Sequence, residues 1–74
     1  MTPVQCKMAR VALDISVRDL AKLAKVSPNT ISRFERREEL RAATVDAIRA
    51  SLEKSGILFI SDNIFGGPGV RLAR

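Results

Sequence analysis

The sequence predicts a mainly α-helical domain of four short helices closed by a C-terminal two-stranded β-hairpin. Three observations lead there. Apolar residues recur at three- and four-residue spacing up to about residue 55. Thr2-Pro3, Ser16, Ser27-Pro28 and Thr44 punctuate that pattern where helices should begin. After Gly56 the pattern gives way to a short apolar run, a turn-rich stretch and a second short segment. The 74 residues make one domain. With Phe34, Phe59 and Phe65 the only aromatics, its core must be built from Leu, Ile, Val, Ala and Met. A core this small is marginal alone, so a compact helical arrangement or dimerisation should support it.

Thr2 caps the first helix and Pro3 takes its first position, where a missing N–H costs nothing. Val4, Met8, Val11, Ala12 and Ile15 follow at helical spacing and mark a helix over about 3–13. Ser16 and Asp19 form a capping-box pair for a second helix over about 17–24, whose buried stripe is read as Leu20, Leu23 and Ala24. Ser27 and Pro28 open a third helix over about 28–35, burying Ile31 and Phe34. After a polar loop from Arg36 to Ala43, Thr44 is read as the cap of a fourth helix over about 44–55. Its inward stripe is Val45, Ile48 and Leu52, with Asp46, Arg49 and Glu53 facing water and Gly56 closing the end. Strands are expected at about 57–60 and 70–72, joined by an irregular connection rich in turn residues. Ile57 and Phe59 share one strand face, Leu58 and Ile60 the other. A ribbon apolar on both faces must be covered on both, by the helices and a second chain or within one compact monomer. Leu58 and Ile60 are the candidate dimer interface.

The formal charge is +5, and the excess lies in the first half: residues 1–41 hold nine basic side chains against five acidic ones. Such a field favours a polyanion and also serves solubility. Cys6 is the only cysteine and histidine is absent, so neither an internal disulfide nor a metal quartet can form, and a reduced, cytoplasmic setting is expected. No secretory or membrane-spanning run is found. No serine lies beside a plausible general base, and Gly66-Gly67-Pro68-Gly69 lacks the Gly-Lys-Ser/Thr that completes a phosphate-cradling loop. The reading assigns no catalysis, no metal and no cofactor.

The second and third helices are both short and lie only three or four residues apart. Units of this size let one helix cross a phosphate backbone while the next enters a groove. The candidate base contacts are Pro28, Asn29, Thr30, Ser32 and Arg33. Asn pairs with both adenine edge atoms, Arg forks onto guanine, Ser donates or accepts, and a proline ring can touch a thymine methyl. Thr30 faces either a base or a phosphate. Ser16, Arg18, Lys22, Lys25, Ser27, Arg36 and Arg37 are the candidate phosphate contacts. Arg33 has an alternative in an ion pair with Glu35 or Glu38. Glu35 is read as structural, paired with Arg18, Lys22 or Arg10. Arg71 and Arg74 reach flanking DNA or serve solubility.

The stretch from Ser16 through Leu20-Ala21, Val26-Ser27-Pro28-Asn29-Thr30-Ile31 and Glu35 to Arg36 resembles the Cro/C1-type (XRE-like) helix-turn-helix family. The tail from Gly56 to Leu72, closing on Gly-Val-Arg-Leu, resembles that of a compact bacterial subgroup. The resemblance implies a four-helix domain binding operator DNA, often as a homodimer, and hence a transcriptional regulator or repressor. Where the family commonly carries glycine at the ends of its first three helices, this chain has Asp14, Lys25 and Arg37. If φ is positive there, each costs about 1 kcal/mol. Val17 stands where the family often has a phosphate-holding Gln, a part that Arg18 can take. The competing expectation is an antitoxin-like accessory module that keeps the fold but binds a protein partner.

Overall fold

The first turn of the chain is fixed by a reciprocal pair of hydrogen bonds. The Thr2 hydroxyl accepts the Gln5 backbone N–H at 3.1 Å, and the Gln5 side-chain Oε1 accepts the Thr2 N–H at 2.9 Å. The computed structural model describes residues 1–73, so Arg74 lies outside the described residues. Its elements are α1 (Pro3–Leu13), α2 (Val17–Ala24), α3 (Pro28–Glu35), α4 (Ala42–Lys54), β1 (Ile57–Ile60) and β2 (Gly69–Leu72). The architecture is mainly α with a C-terminal antiparallel hairpin, the fold class expected from the sequence. None of the helices is long and apolar enough to cross a membrane.

The ends of α1, α2 and α3 share one construction. Asp14, Lys25 and Arg37 have φ of 56°, 58° and 68°, the left-handed conformation that glycine adopts without penalty. At each, two backbone bonds close the turn. Ile15 N–H bonds Arg10 C=O at 3.0 Å and Asp14 N–H bonds Val11 C=O at 3.1 Å. Val26 N–H bonds Ala21 C=O at 3.0 Å and Lys25 N–H bonds Lys22 C=O at 3.3 Å. Glu38 N–H bonds Arg33 C=O at 3.0 Å and Arg37 N–H bonds Phe34 C=O at 2.9 Å. This is the Schellman arrangement, which satisfies the orphan carbonyls of a helix end. The condition attached to these three positions is thus met.

Cys6, Ala9, Leu20, Ala21, Ala24, Ile31, Phe34, Ile48, Leu52 and Ile57 make one core drawn from all four helices and β1. Burying one large aliphatic side chain here contributes about 1.5–3 kcal/mol. Ala21 sits where α2 and α3 approach, so a larger side chain would overpack that contact.

Several elements differ from the sequence reading. The stripe Val4, Met8 and Val11 is exposed, and α1 buries Gln5, Cys6 and Ala9 instead. Both faces of this helix carry apolar residues, and periodicity alone does not say which one meets the core. Leu23 is half-exposed, and the buried face of α2 is Leu20, Ala21 and Ala24. Helix α4 begins at Ala42 rather than Thr44; Arg41 holds the cap position without a side-chain bond. Ala42 and Ala43 are strong helix formers and extend the helix past the expected cap. Arg49, two-fifths exposed, also lies 4.9 Å over the Phe59 ring. Strand β2 includes Gly69, one residue earlier than expected.

The hairpin pairs Ile57 with Leu72, Leu58 with Arg71, Phe59 with Val70 and Ile60 with Gly69. Ile57 is fully buried and Phe59 packs on the core, while Leu58 and Ile60 remain exposed. The buried Gln5 amide donates to Ile60 C=O at 3.0 Å and to Gly69 C=O at 2.9 Å, pinning the far end of both strands to α1. Beyond it, Asn63 and Gly66 form a small bridge, and the Asn63 side chain accepts the Phe65 N–H at 2.8 Å. This turn holds Ile64 and Phe65 at 92% and 91% exposure.

Candidate nucleic-acid interface

The turn between α2 and α3 is made by Lys25 in its left-handed conformation and by Val26, which is half-buried against the core. Ser27 then starts α3. Its hydroxyl accepts the Thr30 N–H at 3.2 Å and lies 2.9 Å from the Thr30 hydroxyl. Pro28 follows at the first helical position. The Thr30 side chain, whose direction the sequence left open, therefore turns back toward the cap.

A helix advances 100° per residue, so the burial of Ile31 and Phe34 fixes what the opposite side shows. Pro28, Asn29 and Arg36 are exposed, while Ser32 and Arg33 are half-buried at the margin. Arg33 Nε donates to Glu38 at 3.1 Å, and Arg36 Nη2 donates to the other oxygen of the same carboxylate at 3.0 Å. Those two guanidinium groups, Arg36 foremost, hold the Glu38 carboxyl below the usual carboxylate range. Of the two partners expected for Arg33, Glu38 is the one it meets.

Beside this helix, Ser16 caps α2 in a second reciprocal box. Its hydroxyl accepts the Asp19 N–H at 3.0 Å, and Asp19 accepts the Ser16 N–H at 2.9 Å. Donation from the Ser16 backbone N–H, then from its hydroxyl, holds the Asp19 carboxyl below its ordinary range. Arg18, Lys22, Lys25 and Arg37 are all exposed. Among the described residues, none of them takes part in an ion pair. An open polar cleft of about 460 Å³ runs between the start of α3 and the α3–α4 connection, lined in part by Ser27, Thr30, Arg33, Arg41 and Thr44. Exposed cations on α2 and just beyond the ends of α2 and α3, next to hydroxyl and amide groups, make a surface suited to a polyanion.

Glu35 faces the other way. It accepts from Arg10 Nε and Nη2, at 2.7 and 2.8 Å, and from the Cys6 thiol at 3.5 Å. Arg10 is thus the partner among the three considered, and Cys6, which had no partner in the sequence reading, has one. Burial, then the neighbouring Glu35 carboxylate, pushes the Cys6 thiol up to about 12. Gln5, and Arg36 as a second cation on Glu38, were not singled out from the sequence. Gln5 carries a readable signal, a Gln three residues after a threonine cap. Leu58 and Ile60 lie on the outer hairpin face beside Arg71, away from the core.

A helix-turn-helix family model matches residues 7–56, well over half of the chain. A search of curated proteins gives no match. The matched span contains α2, the turn, α3 and the whole surface just described, and in general terms it suggests a role in DNA binding and transcriptional regulation. With a family match that takes in most of α1 and all of α2, α3 and α4, the chain belongs to the helix-turn-helix family.

Proposed function

We propose that the chain is a Cro/C1-type transcriptional regulator that binds a specific double-stranded DNA site with α3 in the major groove. The observation that carries this reading is the division of α3: Ile31 and Phe34 hold its rear in the core while Pro28 and Asn29 stand in solvent. Asn29, Ser32 and Arg33 read base edges, with Pro28 and Thr30 beside them. Arg18, Lys22, Lys25, Arg36, Arg37 and the caps Ser16 and Ser27 meet phosphates. Two copies bind together through Leu58 and Ile60, and occupying the operator blocks or recruits polymerase.

In vitro selection of bound DNA, followed by a salt titration, tests this reading. An enriched inverted repeat is the expected result, with an affinity that falls steeply with salt as phosphate counterions are released. Enrichment of no sequence would replace it with the protein-binding accessory module, a reading to which the exposed Leu58, Ile60, Ile64 and Phe65 lend some support. A solution mass of one chain, unchanged by DNA, would remove the dimer.

A further inference from the structure

We infer that Glu38 is a positioning residue for DNA readout: it occupies the Nε edge of Arg33 and leaves the two terminal nitrogens as the edge offered to a base. The inference rests on the reading of Arg33 as a base contact and adds to it which edge is presented and what holds it there.

The device begins in the backbone. Arg37 at φ 68° reverses the chain just after α3, and the Glu38 N–H bonds the carbonyl of Arg33 itself. In a Schellman turn these two positions lie side by side, and an apolar pair commonly fills the place. Here the pair is ionic. One Glu38 oxygen takes Arg33 Nε at 3.1 Å and the other takes Arg36 Nη2 at 3.0 Å. A carboxylate held by two guanidinium groups has little freedom to swing away.

Both Arg33 and Glu38 side chains are more than two-fifths exposed, at 43% and 45%. An ion pair this wet adds little to folding. Its effect lies in what it does to a long, flexible side chain before any ligand arrives. A guanidinium can fork onto guanine through its terminal nitrogens or through Nε and one terminal nitrogen. With Nε occupied, the terminal pair is the fork that remains, and ordering it in advance lowers the cost of ordering it on binding.

The test uses the full chain and the DNA site selected by the wild type. Affinity is measured on that site and on versions with each guanine pair replaced, for the wild type, Glu38→Ala, Glu38→Gln, Arg33→Ala and the double variant Arg33→Ala/Glu38→Ala. Glu38→Ala should bind unrelated DNA more tightly, having lost a negative charge, while its preference at the Arg33-dependent guanine falls about three- to tenfold. Glu38→Gln, which keeps an oxygen able to accept from Nε, should restore part of that preference. In the Arg33→Ala background, Glu38→Ala should change discrimination no further. A guanine preference that survives Glu38→Ala, or a change spread evenly over all positions, overturns the inference while leaving DNA readout standing. A wild type that enriches no motif removes the DNA reading and this inference with it.

Discussion

Two arginine–glutamate pairs flank the end of α3, and they are built from the same chemistry in opposite surroundings. Arg10 and Glu35 join α1 to α3 through two short bonds, with side chains only 14% and 10% exposed. A third bond runs from Arg10 to the Ile15 carbonyl at 3.3 Å, and the Cys6 thiol donates to Glu35 as well. Arg33 and Glu38 meet through one nitrogen, with both side chains more than two-fifths exposed. The first pair is largely enclosed by the protein and fixes where α3 sits. The second leaves most of its guanidinium free. Burial, not residue type, separates a tie that holds α3 in place from a group that can act on its surface.

Breaking the buried pair should have the largest effect. Glu35→Ala strands Arg10 and the Cys6 thiol and should destabilise folding by about 3–5 kcal/mol, a large share of the stability of so small a domain. Urea denaturation measures it, and a loss below about 1 kcal/mol would mean that the two pairs do not differ in kind. Breaking the exposed pair from the arginine side should move the other observable. Arg33→Ala should cost about 1–3 kcal/mol of discrimination at one base pair, with folding stability unchanged within about 0.5 kcal/mol. A large drop in melting temperature would place Arg33 with Arg10 instead.

The left-handed turns after α2 and α3, the second of which joins the exposed pair, give a smaller effect of opposite sign. Lys25→Gly and Arg37→Gly should each stabilise the fold by about 1 kcal/mol, seen as a rise of about 4–8 °C in melting temperature. Each should also weaken DNA binding at low salt, and binding that does not change, with a shallow salt slope, would remove the two side chains from the phosphate contacts. The smallest effect at neutral pH belongs to Cys6. Its folded pKa of about 12 lies above the ordinary value of 9.0. The stability gained by keeping the thiol neutral is therefore complete below about pH 9 and is lost as pH rises toward 12. Melting curves between pH 9 and 11 should fall more steeply for the wild type than for Cys6→Ala. Parallel curves would mean that the thiol ionises as readily in the fold as out of it.

Local rules made much of this fold legible. The caps at Thr2, Ser16 and Ser27 act within three residues, and so does the periodicity that buries Ile31 and Phe34. Resemblance pointed to Asp14, Lys25 and Arg37, because a left-handed residue is a backbone requirement that outlives a change of side chain. Tertiary choices were less legible. Helix α1 offers two apolar stripes, and the structure buries the one with Cys6 and Ala9 rather than the one with Val4 and Met8. Arg49 reads as a solvent residue until a strand beyond its own helix brings Phe59 beneath it. At the candidate site, the polar front of α3 could be read from spacing alone. The choice of Glu38 over Glu35 for Arg33 could not, because it depends on which carboxylate Arg10 has already taken.

The Gln5 amide closes the first turn of α1 and also donates to the carbonyls of Ile60 and Gly69, partners 55 and 64 residues away. The two extremities of the chain are therefore one cooperative unit: fraying at the amino end frees the ribbon, and loss of the ribbon leaves a buried amide without acceptors. Trimming a few residues ahead of the helix-turn-helix would be felt at the opposite terminus before it was felt in α3.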